Sequence, residues 1–148
     1  MIRKLHPMAG GAAFLIILTF WTSTVIAELF GSEAAVLAVK TAILWGMLAL
    51  IPAMAAVGMS GFRLGARSRH PRIAAKRRRM PVIAANGLFV LVPCAFFLQA
   101  KAAAGDFSGS FFAVQGIELL AGGLNLALIG LSLRDGLLVA RERLPRPA

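Results

Sequence analysis

The sequence has few charged residues and almost no cysteine. Only 15% of its 148 residues are charged, six of them acidic, and Cys94 is the single cysteine. One cysteine excludes an intramolecular disulfide bond and a cysteine-based metal cluster. The shortage of charge excludes an ordinary soluble domain, because 59% of the residues are hydrophobic and the mean hydropathy is +0.80. A composition of this kind is typical of a protein embedded in a lipid bilayer.

Four apolar segments are long enough to cross a bilayer, for which a helix needs about 20 residues. They cover residues 8–27, 34–59, 81–100 and 111–133. Their apolar runs are continuous, and a helix satisfies every backbone polar group within one segment, so helices are favoured over a β-barrel. The first segment ends like a signal peptide at Ala27, but its apolar run is longer than a signal peptide uses. We therefore predict an all-α, polytopic membrane protein with a four-helix transmembrane bundle.

The connections between the segments predict two antiparallel hairpins. Short connections at residues 29–33 and 101–110 close the hairpins, and a basic loop at residues 61–80 links them. Residues 1–140 are then a single transmembrane domain, followed by a short tail at residues 141–148. Pro81 is expected in the first turn of the third helix, whereas Pro52 and Pro93 fall inside helices and predict bends.

The basic residues indicate how the bundle is oriented. Fourteen of the 16 Lys and Arg residues lie before the first segment, between the second and third, or after the fourth. Basic residues concentrate on the cytoplasmic side of membrane proteins. We therefore expect a multi-pass protein of a bacterial-type inner membrane, with the loop and both termini in the cytoplasm.

The net charge of +10 raises the question of a nucleic-acid partner. A basic run beside membrane helices has a nearer explanation in attraction to anionic lipid, and we expect Arg77, Arg78 and Arg79 to make that contact. The basic loop has no aromatic residue except Phe62 at its edge, so it lacks a platform for stacking bases. The bilayer and its anionic lipids are the expected partners, and nucleic acid is not.

Polar residues inside the fourth segment predict a buried layer near the outer surface. Gln115 and Glu118 lie on one face of the helix, and Glu118 is roughly 10 Å deep at 1.5 Å per residue. Lys40 in the second segment is at a similar depth, and Glu28 at the end of the first could join them. Three interpretations stay open: a charge pair that fixes helix register, a proton, quinone or cation site centred on Glu118, or a protonated Glu118 with Lys40 turned outward.

A second polar layer is expected nearer the cytoplasm. Asn125 lies about 12 Å from the end of the fourth segment and Asn86 about 8 Å from the start of the third, from the same helical rise. An amide pair between these two helices would satisfy both side chains in hydrocarbon.

The fourth segment also has a seam of small residues. Gly116, Gly123 and Gly130 are spaced seven apart and share one face, which favours close packing against another helix. A separate face should contact lipid, and it consists of Ile117, Leu120, Leu124, Leu128 and Leu131.

The two histidines, His6 and His70, fall on the same expected side of the membrane. If the basic loop folds back, they could hold one b-type haem axially, with arginines facing its propionates. No other metal site is indicated by the sequence.

The sequence contains neither a nucleophile-elbow serine nor a phosphate-binding glycine loop, so an enzyme is not expected. The leading interpretation is an accessory membrane subunit or interaction protein, with the glycine seam as its contact face in a homo-oligomer or a larger membrane complex. The alternatives are a small redox protein binding haem b or quinone, and a small proton-coupled or cation transporter that uses Glu118.

Overall fold

The computed structural model describes residues 2–65 and 70–142, with side chains from residue 6 onward except at 62, 64 and 65. It has four long helices and no strand among those residues. Each helix contains a stretch long and apolar enough to cross a membrane, which confirms the all-α prediction. The helices are α1 (Ile2–Phe30), α2 (Glu33–Gly65), α3 (Pro71–Ala103) and α4 (Gly109–Glu142).

The prediction of a basic loop at residues 61–80 is wrong in extent. Helix α2 continues to Gly65 and α3 begins at Pro71, so helix covers most of this segment, and residues 66–69 lie outside the described part. Pro71 occupies the first turn of α3, and Pro81 lies inside the helix instead of at its start. Lys and Arg are good helix formers, and a helix can extend beyond the apolar slab that hydropathy detects. Similarly, α4 reaches Glu142, and residues 143–148 of the predicted tail lie outside the described residues.

Two short turns close the helical hairpins at one end of the bundle, which we call the turn end. Gly31 and Ser32 alone separate α1 from α2, so α2 must return alongside α1. Residues 104–108 join α3 to α4, and Gly105 there has a φ of +66°. That left-handed conformation costs glycine little and most other residues more. We call the opposite end, where Lys76 and Arg79 lie, the basic end.

Helix α3 is interrupted in its middle by a π-helical turn at Gly87–Leu91. The turn separates two α-helical parts, Pro71–Asn86 and Val92–Ala103, and the Val92 amide donates to the Gly87 carbonyl five residues back. Pro93 follows directly. Proline has no N–H and its ring collides with the carbonyl four residues earlier, so a wider turn before it accommodates the ring. The bend predicted at Pro93 therefore takes the form of a π turn.

The four helices surround a central axis. Helix α1 contacts α2 and α4, and α3 contacts the same two, whereas the diagonal pairs α1 with α3 and α2 with α4 make no close backbone contact among the described residues. Buried residues at the turn end, including Ala27, Leu98 and Phe111, form one apolar cluster. Four of the five residues expected to face lipid on α4 are exposed, and Leu128 instead packs against a buried cluster.

Candidate functional site

Lys40 and Glu118 form a buried ion pair across the bundle. Lys40 is 1% exposed, and its Nζ lies 2.5 Å from Glu118 Oε2. Gln115 Nε2 donates a second hydrogen bond to the same oxygen at 3.1 Å. Because α2 and α4 lie diagonally opposite each other, the pair spans the centre of the bundle. Lys40 therefore does not turn outward to the membrane surface.

The polar layer around this pair also contains two further acceptor oxygens. Glu28 Oε1 and Gln115 Oε1 are buried and have no hydrogen-bond partner among the described residues. Glu28 lies within electrostatic range of both Lys40 and Glu118. Two carboxyl groups and one ammonium group therefore lie in the same layer.

The second polar layer lies where α3 and α4 meet. Asn86 Nδ2 donates to Asn125 Oδ1 at 2.9 Å and to the Ala121 carbonyl at 2.8 Å. Asn125 Nδ2 reaches the Ile83 carbonyl at 3.4 Å. Asn86 is also the last residue before the π turn. The amide pair therefore ties α4 to α3 at the point where the α3 hydrogen-bond pattern changes.

His6 lies in a short chain of hydrogen bonds at the basic end. Lys76 Nζ is 2.9 Å from His6 Nε2, and Ser60 Oγ is 2.8 Å from His6 Nδ1. A charged ammonium group can only donate, so Nε2 is the acceptor and the imidazole proton is on Nδ1. That proton is donated to Ser60, whose hydroxyl donates in turn to the Ala56 carbonyl. His6 is thus held as a neutral imidazole by α2 and α3.

Both histidines contact other groups of the protein. His70 caps the start of α3, where its Nδ1 accepts from the Arg72 amide at 3.3 Å, and its Nε2 lies 3.0 Å from Glu142 Oε2. Both ring nitrogens of His6 are also bonded to protein groups. Axial ligation of iron needs a free imidazole nitrogen, so haem binding by this pair would require some of these contacts to break. The described residues also contain no cluster of three or more His, Cys, Asp or Glu side chains arranged to hold a metal ion.

Asp135 is a buried carboxylate that the sequence analysis missed. It is 6% exposed, and its Oδ2 lies 2.7 Å from Arg79 Nη1. The residue follows the predicted end of the fourth segment. At 100° per residue it has the same angle as Ile117, on the face expected to contact lipid, so helical spacing does not predict its burial. Arg79 is therefore engaged within the chain, whereas Arg77 and Arg78 are exposed.

The glycine seam of α4 lies partly against α1. A Cβ added at Gly123 would lie 3.8 Å from Trp21 Nε1, and one added at Gly130 would lie 3.8 Å from Phe14 Cε2. A Cβ added at Gly116 would meet nothing within 4 Å. Two of the three seam residues therefore have a contact inside the chain.

A cavity of about 1760 Å³ lies between the four helices. Its wall runs from His6 and Lys76 at the basic end to Glu118 and Trp21 towards the turn end, and apolar side chains form most of it. Trp21 is fixed in the wall by a 3.0 Å hydrogen bond from Nε1 to the Leu119 carbonyl.

The cavity is partly open to the outside of the bundle. Several of its lining residues are exposed, among them Ile51 (55%) and Met59 (67%) on α2, Leu88 (61%) on α3 and Leu137 (66%) on α4. These residues belong to membrane-spanning stretches. A molecule dissolved in the bilayer could therefore enter the cavity without passing through water.

No protein-family model matches the sequence, and no curated protein or solved structure matches it either. The arrangement of the site is therefore the basis for any functional conclusion. It combines a bilayer-accessible apolar cavity with two ion-paired carboxylates in its wall and basic groups at one end.

Proposed function

We propose that this protein is an accessory subunit in a bacterial-type inner membrane and that it holds a long-chain amphiphile between its helices. The observation that carries the proposal is the cavity of about 1760 Å³. Pockets for drug-sized ligands are usually about 300–1,000 Å³, so this one suits a larger molecule. A packed interior has few voids larger than a water molecule, which makes a packing defect a poor explanation.

The walls of the cavity support a lipid-like occupant. An apolar lining stabilises hydrocarbon by keeping it from water, and the exposed lining residues on membrane-spanning stretches give the cavity access to the bilayer. An isoprenoid quinone and a phospholipid both satisfy these conditions. In this proposal the protein presents its ligand to a homo-oligomer or to a larger membrane complex, and its basic end faces the cytoplasm.

A proton-coupled transporter is the second candidate, and one observation favours it. Glu118 lines the cavity, and the unpartnered oxygens of Glu28 and Gln115 are in the same polar layer. A layer with two carboxyl groups and one lysine can take up and release a proton. The close contact between Lys40 and Glu118 instead supports a structural role for the pair, so we rank transport second.

The proposal predicts that filling the cavity removes the ligand. A Cβ added at Gly58 meets no atom within 4 Å, and Gly58 lines the cavity, so Gly58→Phe places a ring there without a clash at its Cβ. Gly116→Phe is the matched control, because Gly116 is equally unobstructed but does not line the cavity. Each protein is purified in mild detergent, and the lipids that accompany it are extracted and measured by mass spectrometry.

We expect one apolar molecule per chain with the wild type and with Gly116→Phe, and its loss from Gly58→Phe. A wild type that carries no lipid in fixed proportion, or a Gly58→Phe variant that retains it, would contradict the proposal. A neutral quinone as the bound molecule would support the redox alternative.

A further inference from the structure

The charged groups that line the cavity are distributed unevenly. Among the described residues, its cationic members all come from the first part of α3, at the basic end: Arg72, Lys76, Arg77 and Arg78. Its two carboxylates are each neutralised by a cation outside the lining, Glu118 by Lys40 and Asp135 by Arg79. The basic end of the cavity is therefore electropositive, and the rest of the wall has little net charge.

Three of these cations retain donors for a ligand. Lys76 is half-buried and uses one of its three N–H groups on His6 Nε2. Arg77 and Arg78 are exposed, and none of the three takes part in an ion pair among the described residues. Arg72 differs, because its Nε lies 3.7 Å from Glu142.

The length of the cavity fits a membrane lipid. Its lining on α4 runs from Glu118 to Ala140, which corresponds to roughly 33 Å at 1.5 Å per residue. The acyl chains of a phospholipid cross one leaflet, about half of the roughly 30 Å hydrocarbon core, so the cavity is long enough to hold them. A head group at the basic end would leave room for its acyl chains along the wall as far as Trp21.

We propose that the cavity binds an anionic phospholipid, with its phosphate head group against Lys76, Arg77 and Arg78 and its acyl chains directed towards Trp21. This inference rests on the proposed function, since it names the ligand class for the same cavity. Ammonium and guanidinium groups form strong, charge-assisted hydrogen bonds with phosphate. A neutral quinone head group can accept hydrogen bonds from them but lacks the negative charge that strengthens their interaction with phosphate, and a phosphatidylcholine head group has a cation of its own that they repel.

Trp21 allows the acyl chains to be detected directly. It lines the cavity, whereas the other tryptophan, Trp45, is 71% exposed on the bundle surface. In a Trp45→Phe background, the fluorescence of the protein reports on Trp21 alone. The protein is reconstituted in phosphatidylcholine vesicles with equal mole fractions of either phosphatidylglycerol or phosphatidylcholine whose acyl chain carries bromine, a contact quencher.

We expect brominated phosphatidylglycerol to quench Trp21 at a lower mole fraction than brominated phosphatidylcholine. Removing one cation should weaken the apparent affinity for phosphatidylglycerol about fivefold in Lys76→Gln. Arg77→Gln should show the same effect, and because the Arg77 side chain is exposed this variant leaves the contact between Lys76 and His6 intact. Arg141→Gln is the matched control, because Arg141 is exposed near the same end but does not line the cavity.

The other possible results contradict different parts of the proposal. Equal quenching of Trp21 by the two lipids would disprove the head-group preference but leave a lipid-binding cavity in place. No quenching of Trp21 by either lipid, with Trp45 quenched normally in the wild type, would disprove the proposed function itself. An equal loss in Arg141→Gln would indicate only general attraction to an anionic surface. Loss of the preference when inorganic phosphate is added would indicate a site for free phosphate.

Discussion

At the scale of single residues, the most consequential contact is the pair between Lys40 and Glu118. An isolated charge in the hydrocarbon region costs several kcal/mol, so each residue is tolerable there only with the other. The pair joins two helices that have no close backbone contact with each other among the described residues. It therefore fixes the depth and rotation of α2 relative to α4 across the cavity.

Breaking this pair should destabilise the protein more than removing it altogether. Lys40→Met leaves Glu118 with the Gln115 amide as its remaining hydrogen-bond partner, and we expect a loss of about 3–5 kcal/mol in the free energy of unfolding. The double variant Lys40→Met with Glu118→Leu should recover most of that loss, because no buried charge remains unpaired. Thermal unfolding in detergent, followed by tryptophan fluorescence, measures the three proteins in a double-mutant cycle.

A double variant as unstable as the sum of the single variants would show that the two residues act independently and would contradict this account. Proton uptake on reconstitution provides a separate test of transport. If the pair is structural, the stable double variant should retain any lipid binding that the wild type has. Proton movement that stops in the double variant while the fold is intact would favour the transporter.

The predictability of the site differs from residue to residue for a physical reason. Depth in the membrane and helical spacing suggested partners for Glu118 and Asn125, because polar groups in hydrocarbon must be paired and few candidates exist. The same argument has no force for Asp135 or His6, which lie at the ends of the apolar segments, where water is an alternative partner. Their contacts with Arg79 and Lys76 depend on how far α3 extends, and hydropathy does not reveal that.

At the scale of helices and turns, α3 departs most from its prediction. Its first ten residues, from Pro71 to Met80, read as a solvated loop because they carry Lys and Arg residues. The structure makes them helical, with Pro71 in the first turn and His70 as the cap. This extension carries Lys76 and Arg77 into the wall of the cavity. The apolar core of each helix was therefore predictable from hydropathy, but the helical extension that carries these basic groups was not.

The turn between α3 and α4 should respond to acid. Lys101 Nζ donates a hydrogen bond of 2.5 Å to Asp106 Oδ2, and this bond, with others from Ser108, holds the pKa of the Asp106 carboxyl below its usual range. A carboxyl whose pKa is lower in the folded state stabilises the fold above its unfolded pKa of about 3.9, and that contribution is lost as the pH falls through the folded value.

We therefore expect the wild type to be more stable than Asp106→Asn near neutral pH, and this difference to shrink as the pH falls below about 4. Melting temperatures of both proteins across that range measure the effect. Glu33→Gln is the control, since Glu33 lies at the other short turn and forms no ion pair among the described residues. A difference between wild type and Asp106→Asn that stays constant through the acid range would contradict the assignment.

At the scale of the whole molecule, the cavity could not be predicted from the sequence. It arises because diagonal helices stay apart while neighbours pack, and that spacing depends on all four helices together. Small residues line part of the wall, among them Gly10, Ala13 and Gly58, but their presence in the sequence does not by itself predict a cavity. The same glycines in a closely packed bundle would bring backbones together. The sequence pattern alone does not distinguish a cavity from close helix packing. This explains why the glycine seam of α4 was predicted but the cavity was not.

The orientation of the molecule decides which leaflet its basic end can reach. The predicted topology places both termini and the basic end in the cytoplasm, where the membrane surface is negative because of anionic lipid. An anionic phospholipid would then enter from the leaflet in which its head group already faces Lys76. The opposite orientation would require the head group to cross the hydrocarbon core. Topology and ligand class are therefore linked, and a test of one constrains the other.

Cysteine labelling in intact cells tests the orientation. Cys94 is the only cysteine, so Cys94→Ala gives a background in which a single new thiol can be placed. Ala104→Cys is exposed in the turn between α3 and α4, and Arg141→Cys is exposed near the basic end. A maleimide that does not cross membranes should label Ala104→Cys in intact cells, and should label Arg141→Cys only after the membrane is permeabilised. The reverse pattern would place the basic end outside and remove the proposed route from the cytoplasmic leaflet.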